Sequence, residues 1–361
     1  MAEKRRDSNI ELFRIIMMLS IVAHHYVVNS GLMDVIASGP FGVKPIVMLV
    51  FGAWGKVGIN GFVLITGFYM CTSRITVRKY LKLLLEVLFY KYVIFFVFLL
   101  TGEVGFGWGR LLKVLLPITG VADGFTSCFL LFYLLIPFCT MLVQTMNQKQ
   151  HLILNLLLFF IFSILGNIPI FVTVTFNYVT WFVVLFFFGA YIRIYDPQIV
   201  RKHAGQKLLV LLILDIASIT VLLRLQRGKY YFLNDSNKVL ALLTAIYLFS
   251  FFRQLRIGYH KWINVIAAST FGVLQIHANS DAMRNWLWGK TLQNVLAYSH
   301  TWWFVHAVFS VLGVYAVCTC IDWVRIQILE RPFFRWYDRH EERILKPIHV
   351  KLTSIGERIM K

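Results

Sequence analysis

Ten times along its 361 residues this chain runs apolar for about twenty residues, the length an α-helix needs to cross the hydrocarbon of a bilayer. The runs cover 10–29, 45–70, 80–101, 126–146, 152–171, 177–195, 207–225, 238–252, 262–280 and 302–324; the eighth is short and the fourth holds Pro137. Hydrophobic residues make up 58% of the chain and charged residues 15%, against about 25% charged in soluble domains. Mean hydropathy is +0.69. No soluble core hides that much apolar surface, so the expected fold is all-α, a polytopic membrane helix bundle of about ten spans. The stretch 106–119 is too short and too charged to cross and is expected at the interface.

Thirty-six Lys and Arg against 17 Asp and Glu give +19, an excess that often signals nucleic-acid binding. Here the positive residues lie between apolar runs rather than in one patch, so they are read as orienting charges, and no nucleic-acid partner is expected. Lys4, Arg5 and Arg6 open the chain, and every second connection is basic: Arg74, Arg78 and Lys79; Lys149; Arg201, Lys202 and Lys207; Arg253, Arg256 and Lys261. The alternate connections are poorer, with Arg110, Lys113, Arg224, Arg227 and Lys229 as mild exceptions. By the positive-inside rule both termini are cytoplasmic, in a multi-pass protein of the cell membrane. The first run exceeds a signal-peptide core and no A-x-A-like site follows, so it is read as a span. Residues 1–330 form the membrane domain and 331–361 a basic cytoplasmic tail. Its apolar residues Ile344, Ile348, Leu352, Ile355 and Ile359 suit either an anionic inner leaflet or a solvated helix. The five cysteines lack zinc or CxxC spacing and are read as packing residues, with neither a disulfide framework nor a metal site.

Ionisable groups inside a span are expensive and therefore candidates for function. Arg14 and His25 lie eleven residues apart in the first run, so a helix puts them on one face, about 16 Å apart along the axis. Arg14 is either a snorkelling anchor or a ligand-binding cation. His25 is either a buried structural histidine or a general base, a role suited to a group that titrates near neutrality. His24 points about 100° away and is read as its structural neighbour. The second run carries Gly52, Gly55, Gly58, Gly61 and Gly67, small residues that let helices approach closely. Asn60 among them either orients a catalytic group or binds another helix. His277, near the end of the ninth run, lies at roughly the depth of His25, which suggests a shared site or an interfacial histidine. Arg74, Arg78 and Lys79 fit a site for phosphate groups and fit the positive-inside rule equally well.

Together these segments resemble acyltransferase family 3. The Arg14-to-His25 spacing is similar to that family's signature, Val57-Gly-Ile-Asn60-Gly-Phe-Val-Leu-Ile-Thr66-Gly67 to its VNxFxLISGY stretch, and Phe129–Phe138 to its YxxLYLLxP helix. Phe187–Arg193 resembles its GAYIR segment, Ile263–His277 its IN…FGVYLIH, and Glu330-Arg331-Pro332 its terminal ExP. The chain departs from the pattern at Leu274-Gln275, Ala278, Thr66 and Ser127-Cys128. The resemblance is greatest to the branch that O-acylates bacterial surface polysaccharides. It implies a ten-helix transferase with acyl-CoA, most simply acetyl-CoA, as donor and a sugar hydroxyl of a polysaccharide or lipid-linked glycan as acceptor. It implies His25 and Arg14 as catalytic residues.

On that basis Arg14, Arg74, Arg78 and Lys79 would hold the donor phosphates by charge-assisted hydrogen bonds. His25 would act as base or as acyl-accepting nucleophile, and Asn60 or His277 would face the acceptor or the oxyanion. No cofactor is expected to stay bound, and the remaining partners are membrane lipids. No Gly-x-Ser-x-Gly elbow is present, which argues against a serine-hydrolase triad. The competing class is a transporter or flippase of a lipid-linked sugar, but its usual mark, paired broken helices in two similar halves, has no counterpart in the sequence.

Overall fold

A chain that must satisfy its backbone inside lipid folds into helices, and helices account for the regular structure here. The computed structural model describes residues 7–116, 124–168, 177–341 and 343, with no strand among them. The first crossing is α1 (Ser8–Val28), followed by the short α2 (Leu32–Ser38), then α3 (Val43–Gly52) and α4 (Gly55–Met70). Next come α5 (Val77–Leu100), α6 (Trp108–Leu115), α7 (Phe125–Thr145) and α8 (Gln148–Phe159), the last running on through π and 3₁₀ turns to Asn167. Then α9 (Tyr178–Tyr195), α10 (Gln198–Arg201), α11 (Ala204–Arg224) and α12 (Val239–Gln254) lead to α13 (Lys261–Ala267) and α14 (Thr270–His277). Finally α15 (Asp281–Arg284) and α16 (Asn294–Ser299) precede α17 (Trp303–Arg325).

Eight stretches among the described residues are helical, long and apolar enough to cross a membrane: 8–28, 43–70, 77–100, 125–145, 148–167, 178–195, 204–224 and a stretch beginning at Trp303. The other two expected spans differ. The eighth, α12, has only 16 residues. The ninth is broken into α13 and α14 at Ala268–Ser269. The second run is also interrupted, at Ala53–Trp54, where α3 stops and α4 begins. Pro137 sits inside α7 without ending it. The interfacial stretch forms α6, an eight-residue helix with no buried residue. Helix continues from α17 through a π turn at Ile326–Glu330 to Glu341, past the expected domain boundary at 330. The tail docks there, with Phe334 and Tyr337 buried. Lys4, Arg5 and Arg6, the connection 172–176 and the apolar series from Ile344 to Ile359 lie outside the described residues.

Burial separates the centre from the rim. The apolar window of α9 is 61% buried and that of the helix over 148–167 only 17%, so α9 is central and α8 faces outward. Around α1 pack α4, α3, α13, α17, α12 and α14. Four of the cysteines are buried; Cys320 instead faces out of α17, contrary to the packing role expected of it. The connections alternate between two ends. Tyr69 reaches Asp7, Asn9 reaches the Arg253 carbonyl, and Tyr195 reaches the Met146 carbonyl, which gathers the basic connections at the Ser8 end. Asn294 bonds the Tyr26 carbonyl and Lys229 the Met33 carbonyl at the opposite, His25 end.

Candidate active site

The site begins with the way α1 meets the interrupted second span. On α4, Gly55, Gly58 and Gly61 face α1: a Cβ there would lie 2.3 Å from the His24 ring, 2.8 Å from the Met17 carbonyl and 2.8 Å from the Met17 sulfur. Only glycine at these three positions lets the two helices come so close. The break at Ala53–Trp54 leaves carbonyls at the end of α3 without helical partners. His24 Nδ1 lies 2.7 Å from one of them, Gly52 O, so His24 is a bolt across the break. The next residue, His25, is thereby aimed at α14.

His25 Nδ1 lies 3.0 Å from His277 Nε2, and His277 Nδ1 lies 2.6 Å from the Val273 carbonyl oxygen. A carbonyl only accepts, so the proton of neutral His277 sits on Nδ1. His277 Nε2 is then an acceptor and His25 Nδ1–H its donor. The lone pair of His25 is left on Nε2, and that nitrogen is free to take a proton or attack a carbonyl. His277 is fully buried while His25 is half-buried and keeps an accessible edge. The arrangement has the form of a base whose tautomer is fixed by a second group, with a histidine and a backbone carbonyl where a carboxylate is more usual.

The other expected residues fall elsewhere. Asn60 is buried between helices, its Oδ1 accepting from Trp181 Nε1 at 3.0 Å and its Nδ2 donating to the Ser236 carbonyl at 2.8 Å. Those bonds tie α4 to α9 and to the connection before α12, and neither goes to the histidine pair. Arg14 lies at the Ser8 end, partly exposed, with its Nε 3.8 Å from Glu11. Arg78 is engaged: its guanidinium forks onto Asp338 at 2.6 and 3.2 Å and lies over Phe334, so it fastens the tail to α5. Lys79 bonds the Arg74 carbonyl at 2.7 Å, and Arg74 is exposed. Among the described residues no three side chains of the metal-ligating kinds gather.

Compared with protein families, residues 7–323 match the acyltransferase domain of acyltransferase family 3. The chain belongs to acyltransferase family 3. No curated protein and no solved structure matches it. The match takes in α1 through nearly all of α17, so both histidines of the pair lie within the acyltransferase domain.

Two cations that the sequence reading passed over complete the surroundings of the pair. Lys56, one residue into α4, and Arg284 both act on His25 through their charge. Lys56 donates to Tyr178 Oη at 2.6 Å and lies 4.0 Å from Asp235. Arg284 pairs with Asp281 at 2.9 Å. The signal for Lys56 was present, since a lysine within an apolar run is a candidate by the same rule that picks out Arg14; Arg284, in a connection, carried none. His306 of α17 was missed too: its Nδ1 lies 2.9 Å from Tyr26 Oη, one residue from His25. In this acyltransferase 3 domain His277 and His306 also line an apolar cleft of about 920 Å³ between α5, α14 and α17.

Proposed function

We propose that this membrane acyltransferase moves an acyl group, most simply acetyl, from acyl-CoA to a sugar hydroxyl of a surface polysaccharide or its precursor. The observation that carries the chemistry is the His25–His277 contact with its tautomer set from Val273. His25 Nε2 takes the proton of the sugar hydroxyl as its oxygen attacks the thioester carbonyl. The tetrahedral intermediate collapses, the C–S bond breaks, and the proton on Nε2 passes to the departing thiolate. The histidine is thereby restored, and one proton has moved through a single atom. While Nε2 is protonated, the Nδ1–H bond to His277 steadies the ring. Lys56 and Arg284 supply positive potential where the oxyanion develops.

The basic connections gathered at the Ser8 end support placing that end and both termini in the cytoplasm. Donor phosphates are then met by Arg14, Arg74 and Lys79, without Arg78, whose fork is held by Asp338. The pantetheine arm would cover the about 16 Å from Arg14 to His25 along α1. The test is the content of alkali-labile O-acyl esters on surface glycan from cells carrying the wild type, His25→Ala or no gene, at matched membrane levels. The wild type alone should restore the ester. Full restoration by His25→Ala would remove the base assignment. Failed glycan export with unchanged ester per sugar would replace the enzyme by a transporter. Incubation with labelled acyl-CoA and no acceptor should leave the protein unlabelled, because the base role forms no acyl-histidine.

A further inference from the structure

Asn60, the amide of the second run that the acyl-transfer chemistry leaves unused, holds two distant segments against α4. Its Oδ1 accepts from Trp181 Nε1 on α9, and its Nδ2 donates to the Ser236 carbonyl in the connection before α12. Tyr178 stands three residues before Trp181, and Asp235 immediately before Ser236. Both meet Lys56, four residues back from Asn60 on α4 and so on the same helix face. The Lys56 ammonium donates to Tyr178 Oη at 2.6 Å and lies 4.0 Å from an Asp235 carboxylate oxygen. A gap of that length is a charge contact and not a hydrogen bond, so the ion pair is not closed on itself. Lys56 spends one of its three N–H groups on Tyr178, and the Asp235 carboxylate accepts no hydrogen bond among the described residues. Their side chains are 20% and 47% exposed, so a solute can reach both. The pair also lies beside the base. Gly55, the residue before Lys56, is so close to α1 that a Cβ there would lie 2.3 Å from the His24 ring, and the His24 and His25 rings are 5.9 Å apart.

We infer that Lys56 and Asp235 form an acceptor subsite that grips two neighbouring hydroxyls of a neutral sugar ring. One hydroxyl oxygen accepts from Lys56 Nζ–H, and the adjacent hydroxyl donates to the Asp235 carboxylate. An ammonium only donates and a carboxylate only accepts, so the pair asks for an acceptor and a donor side by side, which a vicinal diol provides. An acidic sugar would pair with Lys56 and be repelled by Asp235, and an amino sugar would meet the reverse. Donor phosphates would likewise be repelled by Asp235. Asn60 keeps the two segments that carry Tyr178 and Asp235 at the distance this grip needs. The inference rests on the reading of His25 as the base of an acyl transfer to a sugar hydroxyl, and it adds how that sugar is held.

The full chain in phosphatidylcholine nanodiscs would be given labelled acetyl-CoA and surface glycan of the producing cells, stripped of its esters by mild alkali. Asp235→Asn keeps the side-chain shape, loses the charge and, on so exposed a residue, should leave the thermal midpoint unchanged. It should raise KM for the glycan about tenfold, the effect of losing a hydrogen bond to a charged group, with KM for acetyl-CoA and kcat within about twofold of the wild type. Lys56→Gln should raise the glycan KM as much and lower kcat besides, since the ammonium also faces the developing oxyanion. The double variant should raise KM by less than the two factors multiplied, because both residues grip one diol. Binding of the glycan without donor, read by microscale thermophoresis, should weaken in step. Periodate oxidation and borohydride reduction, which open vicinal diols, should abolish binding to the wild type. An unchanged glycan KM in Asp235→Asn overturns the subsite, and so does full binding of the periodate-treated glycan. A rise in KM for acetyl-CoA of the same size would make the pair a donor contact, and a fall in kcat alone would make Asp235 the counter-ion of Lys56; either overturns the proposal too. Glycan that binds the wild type and not Asp235→Asn, yet never receives an acyl group, would keep the subsite and remove the acyl-transfer reading.

Discussion

At the scale of single residues, the proton on His277 Nδ1 decides what His25 is able to do. The Val273 carbonyl holds that proton, so the His277 ring presents a lone pair to His25 and leaves His25 Nε2 bare. In the proposed reaction His277 acts as a positioning residue. A hydrogen bond to a group that becomes charged is worth about 1.5–3 kcal/mol, or roughly 10- to 150-fold in rate. His277→Ala should lower kcat/KM by that factor and leave KM for the donor unchanged. His277→Gln, whose side-chain oxygen accepts from His25 Nδ1–H, should recover part of the loss, which a merely structural role would not predict. Steady-state kinetics on matched membranes decides it. That Arg14 and His25 share one helix was legible in the sequence, and so was the common depth of His25 and His277. The tautomer was not, since it depends on a carbonyl one turn back along α14. Nor was the pairing of Arg78 with Asp338, which comes from opposite ends of the chain.

Between elements, the contact of α1 with α4 is set by glycine, and the sequence displayed it as a three-residue repeat of small residues. What the repeat does not display is its partner. Gly58 would place a Cβ 2.8 Å from a backbone oxygen that cannot step aside. Gly58→Ala should therefore separate the helices that carry Lys56 and His25, at an overpacking cost of about 1–3 kcal/mol. The same change at Gly313 enters open space and should leave stability unaltered. Thermal midpoints of the two purified variants, read from tryptophan fluorescence, test the contrast; an equal drop in both would remove the argument. The breaks in the second and ninth runs were not readable from composition. Ala268–Ser269 carries neither proline nor glycine, and the helix resumes where Gly272 lies against the Asp322 side chain, a contact that exists only once α14 and α17 have met.

For the whole molecule, apolar periodicity and alternating charge foretold a helical bundle with its basic connections at one end, and the described residues form one. The way its walls are joined was hidden, because it runs through charges that composition treats as noise in apolar runs. Glu86 of α5 and Asp322 and Glu330 on and beyond α17 converge on Arg325, at 3.4, 2.8 and 3.0 Å, while Lys82 adds a second cation at 2.6 Å from Glu330. Tyr90, which lines the cleft, donates to Asp322 at 2.8 Å. The network closes the cleft at the Ser8 end and holds α5 against α17, the two helices that must stay parted at the other end. Removing one partner of such a cluster leaves uncompensated buried charge, typically about 3–5 kcal/mol. Arg325→Met should lower the thermal midpoint accordingly, and Arg325→Lys should not rescue it, because an ammonium cannot fork to three carboxylates. A variant at Arg325 that melts like the wild type would show that the bundle is held by its apolar packing and that the charges serve another end.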